Sequence, residues 1–267
     1  MNRVHGSDVT FMKNTTVFRK FRMALLPGLV WLGLAFAMAG CVTRVPTPAR
    51  PRLAIILDDA GNENGFYDEI YTLPRPVTLA IIPNTPWAAT VLRQARHHRM
   101  DTIGHIPMQS SVTNELFVVT TNMTAVEIFE GLTSAIDSLP GIKGINNHMG
   151  SLASADLQTL EPVMAVLKAK QMFIVDSRTT RDSLIFKTAQ DWEIPCLAKD
   201  DFLDSEAGEE RIRKHLRYLL SVARKRGYAV GIGHVQNLET ILVLNDFMRE
   251  HANDVEFVGV RQLIQAD

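Results

Sequence analysis

Short, nearly unbroken apolar runs recur along this chain at 53–57, 77–82, 102–106, 142–146, 172–175, 194–197, 229–232 and 255–260. Most do not alternate apolar with polar, the pattern of parallel strands buried on both faces. Helical patterns fill the gaps. Thr85-Pro86 reads as an N-cap followed by proline at the first helical position. Thr124 with Glu127 reads as a capping box opening a helix to about Ser138. Stretches 156–170 and 209–226 are amphipathic at helical spacing. Repeated strand–helix units predict right-handed crossovers and a parallel sheet. The expected fold is α/β, an irregular (β/α) barrel of seven or eight mostly parallel strands in a single domain.

The first 41 residues break this pattern. A basic start (Arg3, Lys13, Arg19, Lys20, Arg22) precedes an uncharged apolar run, 23–39, which exits through Met38-Ala39-Gly40-Cys41. A basic segment, an apolar segment and a small-residue exit describe an export signal. A short uncleaved membrane anchor is the alternative, weakened by Pro27, Gly28 and Gly33. The tetrad ending at Cys41 resembles a bacterial lipobox, which implies cleavage after Gly40 and lipidation of Cys41; a plain signal peptide with a chance cysteine is the competing reading. The expected organisation is a signal peptide over 1–40, a lipidated cysteine and proline-containing tether over 41–51, and one barrel domain over 52–267. The protein would then be exported and lipid-anchored in the cell envelope, facing the periplasm if the cell has an outer membrane.

Composition adds little beyond exclusions. Of 267 residues, 46% are apolar, enough for a sizeable core, and the net charge of −1 gives no argument for binding nucleic acid. The cysteines are Cys41 and Cys196, so lipidation of the first leaves no disulfide framework. Cys196 lies in an apolar run and reads as a small core residue.

The chemistry collects where the runs end. They lead into Asp58-Asp59, His105, Asn146-Asn147-His148 with Ser151, Asp176-Ser177, and His234. In parallel α/β folds, sites assemble at the carboxyl ends of strands. Two adjacent carboxylates after a buried run repel each other unless a cation is near, which favours Asp59 as a metal ligand over a helix cap. His105 alone is equally well a hydrogen-bonded core histidine, and Asp176 and Asp204 are either orienting partners or loop caps. His97, His98, His215 and His251 sit among charged residues on helical patterns and read as solvated surface. One carboxylate and two histidines from separate strands make a catalytic metal site with a coordination position open to water. That donor set suits zinc, with iron, cobalt or nickel as alternatives.

At these residues the chain resembles the divergent polysaccharide deacetylases. The matching pieces are Ile55-Ile-Leu-Asp-Asp59, His105-Ile-Pro-Met108, Ile145-Asn-Asn-His-Met-Gly-Ser151, Asp176-Ser177, Lys199-Asp-Asp-Phe-Leu-Asp204 and Ile232-Gly-His234. The resemblance implies metal-dependent removal of N-acetyl groups from a cell-envelope or extracellular polysaccharide, with an N-acetylated glycan as substrate. It assigns Asp59 and His105 to the metal, Asp58 to the general base and His234 to the general acid. The second histidine of the better-known His-x-x-x-His motif is replaced by Gln109, and His148 is the natural substitute ligand. Asn146, Asn147, Ser151, Asp176, Ser177 and Asp204 are expected to orient these groups or bind substrate. The family pattern expects proline after the last histidine; here it is Val235. The competing function is a non-catalytic envelope lipoprotein that uses the barrel to bind glycan or a protein partner.

Overall fold

The computed structural model describes residues 50–112 and 118–264; the expected signal peptide, Cys41 and most of the tether lie outside them. Among the described residues the fold is a parallel α/β barrel. Its strands are β1 (Arg52–Ala60), β2 (Thr78–Ile81), β3 (Asp101–Met108), β4 (Gly144–Met149), β5 (Phe173–Asp176), β6 (Cys196–Ala198), β7 (Asp201–Phe202), β8 (Tyr228–His234) and β9 (Glu256–Val258). The sheet runs β6-β5-β4-β3-β2-β1-β8-β7, and β9 pairs with the start of β1.

The expected runs each became a strand, and β7 was missed because a two-residue strand starting on aspartate has no apolar run to read. It matters for closure. Within Cys196–Phe202 the chain pairs first with β5 and then with β8. At the changeover the Lys199 amide donates to the Asp176 carbonyl at 2.9 Å and the Asp200 amide to the Val230 carbonyl at 2.8 Å. One broken strand thereby joins the two ends of the sheet.

Helices cover the outside: α1 (Tyr67–Tyr71), α2 (Ala88–His97), α3 (Ala125–Asp137), α4 (Leu157–Lys170), α5 (Ile185–Asp191), α6 (Glu209–Arg226), α7 (Leu238–Glu250) and α8 (Val260–Ile264). The capping box of Thr124 and Glu127 is present at the head of α3, and the Asp156 side chain caps α4. The expected start at Thr85-Pro86 is displaced: α2 begins at Ala88, while the Thr85 hydroxyl is spent on the Ile82 carbonyl at 2.9 Å.

Strand parity divides the core in two. In β1, Leu53, Ile55 and Leu57 pack outward under the helices, while Ala54 and Ile56 join Ile103, Phe173, Val175, Leu197, Val230 and Ile232 in the barrel interior. Side chains along a strand alternate between faces, so each interior column can be followed upward in steps of two. Column 54, 56 leads to Asp58, column 103 to His105, column 173, 175 to Ser177, and column 230, 232 to His234.

Leu203 follows the broken strand, is fully buried, and donates its amide to the Ile232 carbonyl at 2.7 Å. Truncating it opens a cavity where the barrel closes. Leu203→Ala should lower stability by roughly 2–5 kcal/mol, read as a lower midpoint in urea unfolding; an unchanged midpoint would mean that the closing segment contributes little to the fold.

Candidate active site

Most of the polar residues at the cleft floor are the top layer of those interior columns. Asp58, His105 and Asn146 are buried there, and His148, two residues beyond Asn146, rises to the cleft wall. Asp59 has the wrong parity: in a regular strand it would face the helices. Two features turn it inward. From Leu57 to Ala60, β1 advances three residues while β2 advances two, Leu79 to Ile81, so β1 carries an extra residue. Asp59 itself takes the left-handed conformation, φ 64°, which aspartate tolerates better than most residues. The β4 end is as sharp. Met149 (φ 52°) and Gly150 (φ 98°) are both left-handed, and a side chain at 150 would also press on the Met108 Cβ at 3.1 Å.

Three ligand-type atoms converge. Asp59 Oδ1 lies 3.1 Å from His105 Nε2 and 2.9 Å from His148 Nδ1, and the two ring nitrogens are 3.0 Å apart. Among the described residues this is the one cluster of at least three His, Cys, Asp or Glu residues so arranged. Asn146 fixes how His105 presents itself. Its amide nitrogen donates to Asp58 Oδ1 at 2.8 Å and to Ser177 Oγ at 3.2 Å, so its oxygen faces His105 Nδ1 at 2.7 Å. An oxygen only accepts, so Nδ1 carries the proton and Nε2 is the nitrogen left for Asp59 and His148. The donors therefore fit a divalent cation: one carboxylate oxygen and two imidazole nitrogens around one point.

The charges are set by the same packing. Burial pushes Asp58 above the ordinary carboxylate range, and the attraction of His105 and His234 offsets only part of that. Burial opposes ionisation of Asp59 too, but hydrogen bonds with His105 and His148 outweigh it and hold the carboxyl well below that range. For His105, burial opposes the charge and the carboxylates of Asp58 and Asp59 overcome it, raising its pKa.

His234 faces the cluster from β8, in register with Asp58. Asp204 grips it twice: Oδ1 accepts from Nδ1 at 2.8 Å and Oδ2 from the backbone amide at 2.9 Å, with the Thr240 hydroxyl donating to Oδ2 at 3.2 Å. Burial would neutralise His234, but Asp204 more than compensates and lifts its pKa to about 9. Val235, where proline was expected, donates its amide to the Asp58 carbonyl at 3.1 Å, a bond proline cannot make.

The remaining expected residues divide. Ser177 and Ser151 line the cleft, whose volume is about 440 Å3. Ser151 Oγ accepts from the Ser111 amide at 3.1 Å. Asn147 also lines the cleft and braces the loop beyond β5, its oxygen accepting from the Ser177 amide at 2.9 Å. Asp176 has outward parity and is taken up by the Arg178 amide and the Ser183 hydroxyl at the head of α5. Gln109 turns away to bind Thr121. Of the four histidines read as solvated, His97 and His98 are exposed, but His215 and His251 are half-buried and bonded to Asp201 and Asp254 at 2.7 and 2.9 Å. Sequence reading missed Ser110, Ser111, Val112, Thr179 and Phe202 as cleft residues; Phe202 lies on the two-residue β7, which no apolar run announces, and stacks on His234 with centroids 5.9 Å apart.

The model of the family described as divergent polysaccharide deacetylase matches residues 55–264. The chain belongs to that family. A curated relative from Haemophilus influenzae, an uncharacterized protein, is 33% identical over 217 residues, 80% of this chain and 77% of the relative. The crystal structure of an uncharacterized protein from Agrobacterium tumefaciens C58 superposes with a TM-score of 0.74 at 26% identity, covering 80% of this chain and 89% of that one. A mutant of the peptidoglycan deacetylase PdaC from Bacillus subtilis shares the fold, with a TM-score of 0.50 at 9% identity over 82% of this chain and 92% of that one. In this family member the Asp59, His105 and His148 side chains come from three separate strands.

If Asn146 sets the His105 tautomer, Asn146→Leu should weaken zinc binding roughly 10- to 100-fold. In the wild type, zinc at a hundred times its Kd should stabilise the fold by about 2.7 kcal/mol, and His148→Ala should abolish that shift. Calorimetric titration and thermal melting read both; equal zinc affinity in wild type and Asn146→Leu would refute the tautomer argument.

Proposed function

We propose that this protein removes N-acetyl groups from a polysaccharide of the cell envelope, using one divalent cation, zinc, held by Asp59, His105 and His148. The observation that carries the reading is the convergence of those three donors in an open cleft, with a buried carboxylate, Asp58, and a carboxylate-paired histidine, His234, beside them. Family membership supports the substrate class.

A divalent cation held by Asp59, His105 and His148 would supply Lewis acidity to the acetyl carbonyl and to an attacking water. Asp58 takes the proton from that water as its oxygen attacks the carbonyl carbon. Its raised pKa makes it a stronger base than an exposed aspartate. His234, charged at neutral pH, gives a proton to the sugar nitrogen as the C–N bond breaks, so the sugar leaves as an amine and the acetyl group as acetate. Asp204 keeps His234 charged and Nδ1 occupied, leaving Nε2 as the donating atom. Asn146 holds Asp58 and His105 in register. The hydroxyls of Ser110, Ser111, Ser151 and Thr179 line the cleft and meet sugar hydroxyls. The envelope placement is supported by the amino-terminal sequence, with lipidated Cys41 as the membrane attachment.

Two measurements test the chemistry. The zinc-loaded protein should release acetate from N-acetylglucosamine oligomers, and Asp58→Asn should keep zinc while losing roughly 10²–10⁴ of kcat/KM; no acetate from the loaded wild type would reject the reading. The pKa of His234 is raised from 6.5 to about 9, so activity should fall as pH rises through about 9. The pairing with Asp204 likewise stabilises the fold fully below the ordinary histidine pKa and is lost through the same upper limit. Asp204→Asn should move the alkaline limb down toward 6.5 without loss of zinc; an unmoved limb would remove His234 as the acid.

Cys41→Ser should shift the protein from the membrane fraction to the soluble fraction, or leave it unprocessed at higher mass. Unaltered fractionation and mass in that variant would reject lipidation.

A further inference from the structure

A second open cavity, of about 450 Å3, lies between α1 and α2. Its wall is made of rings. Tyr67 and Tyr71 stand near one another on α1 with centroids 6.2 Å apart and planes 23° apart. Tyr71 lies flat against His98, centroids 4.6 Å and planes 7° apart. Trp87, at the head of α2, lines the same cavity and is 44% exposed. Gln94 and Glu69 place an amide and a carboxylate among the rings. Electron-rich ring faces meet the weakly positive C–H face of a pyranose, and polar groups beside them meet its hydroxyls.

The cavity is tied to the catalytic cleft. The Tyr67 hydroxyl accepts from the Gly61 amide at 2.9 Å and donates to the Asn62 carbonyl at 2.8 Å, while the Trp87 amide donates to the Gly61 carbonyl at 2.9 Å. The Tyr67 ring and the Trp87 backbone are thus tied to the loop that follows Asp59. Phe66 lines this cavity and also a shallow hollow it shares with Asp204 and His234. His234 in turn walls the cleft that holds Asp58 and Asp59. Three hollows run in series through two shared residues.

We propose that the ring-lined cavity is a remote subsite for another sugar unit of the same N-acetylglucosamine-type chain, so that the protein selects polymers over short fragments. This rests on the deacetylase reading above and adds to it the length of the substrate. The test compares the N-acetylglucosamine hexamer with the dimer. In the wild type kcat/KM should be higher for the hexamer. In Trp87→Ala the hexamer-to-dimer ratio should fall roughly three- to tenfold through KM, the range expected for losing one ring contact. Gln94→Ala, an exposed position, should lower the ratio in the same direction and serves if Trp87→Ala does not fold. No hexamer preference in the wild type, or an unchanged ratio in the folded variants, overturns the proposal. If neither oligomer releases acetate, the deacetylase reading falls, and calorimetric binding of the hexamer decides the cavity by itself. Binding that Trp87→Ala weakens supports a glycan subsite, and absence of binding, or binding the variant leaves intact, overturns it.

Discussion

Asp58 is a carboxylate removed from water at the top of a hydrophobic barrel, and the cleft is organised around compensating it. An unpaired charge in such a place costs on the order of several kcal/mol. Asn146 donates to one oxygen at 2.8 Å, His105 Nε2 stands 3.7 Å from the other, and His234 lies beside it in strand register. The same three residues are those the proposed chemistry uses. Compensation of Asp58 fixes the Asn146 amide, the amide fixes the His105 proton, and the proton fixes which nitrogen is free. A structural necessity at the floor of the barrel thus orders the atoms at its mouth.

Much of this was legible in sequence because two simple rules apply. Continuous apolar runs mark strands buried on both faces, and parity carries the interior columns from Ile56 to Asp58, from Ile103 to His105 and from Ile232 to His234. The same rule, applied further, would have separated Ser177 from Asp176, which faces α5. It fails at Asp59, because no local sequence signal announces the extra residue in β1 or the left-handed φ; the pairing with β2 reveals both. His215 and His251 read as surface because a helical pattern shows which face a residue occupies but not whether an aspartate from another element or from beyond the helix end lies within reach, as Asp201 and Asp254 do. Thr85 misled for a related reason: its hydroxyl satisfies the Ile82 carbonyl before the helix begins.

The two sides of the cleft are built differently. The donors proposed for a cation stand on β1, β3 and β4, within the run of paired strands β4-β3-β2-β1. Asp204, which holds His234, the proposed acid, follows the short broken strand that joins β5 to β8. His234 is secured by one carboxylate making two hydrogen bonds rather than by a ladder on both edges.

That broken strand gives the barrel a seam. Apart from the extra residue in β1, the rest of the wall is zipped by consecutive strand pairings, but at Lys199 and Asp200 two amides span the changeover. Short pairings open locally at lower free energy than long ladders. Opening at the seam would loosen Asp204, and with it the imidazole it grips, before it disturbed the β4-β3-β2-β1 run. Asp58 and His234 are register partners at the end of the seven-residue β1–β8 ladder, so the seam governs the tilt of the His234 ring and not the separation of the two strands that carry the proposed base and acid.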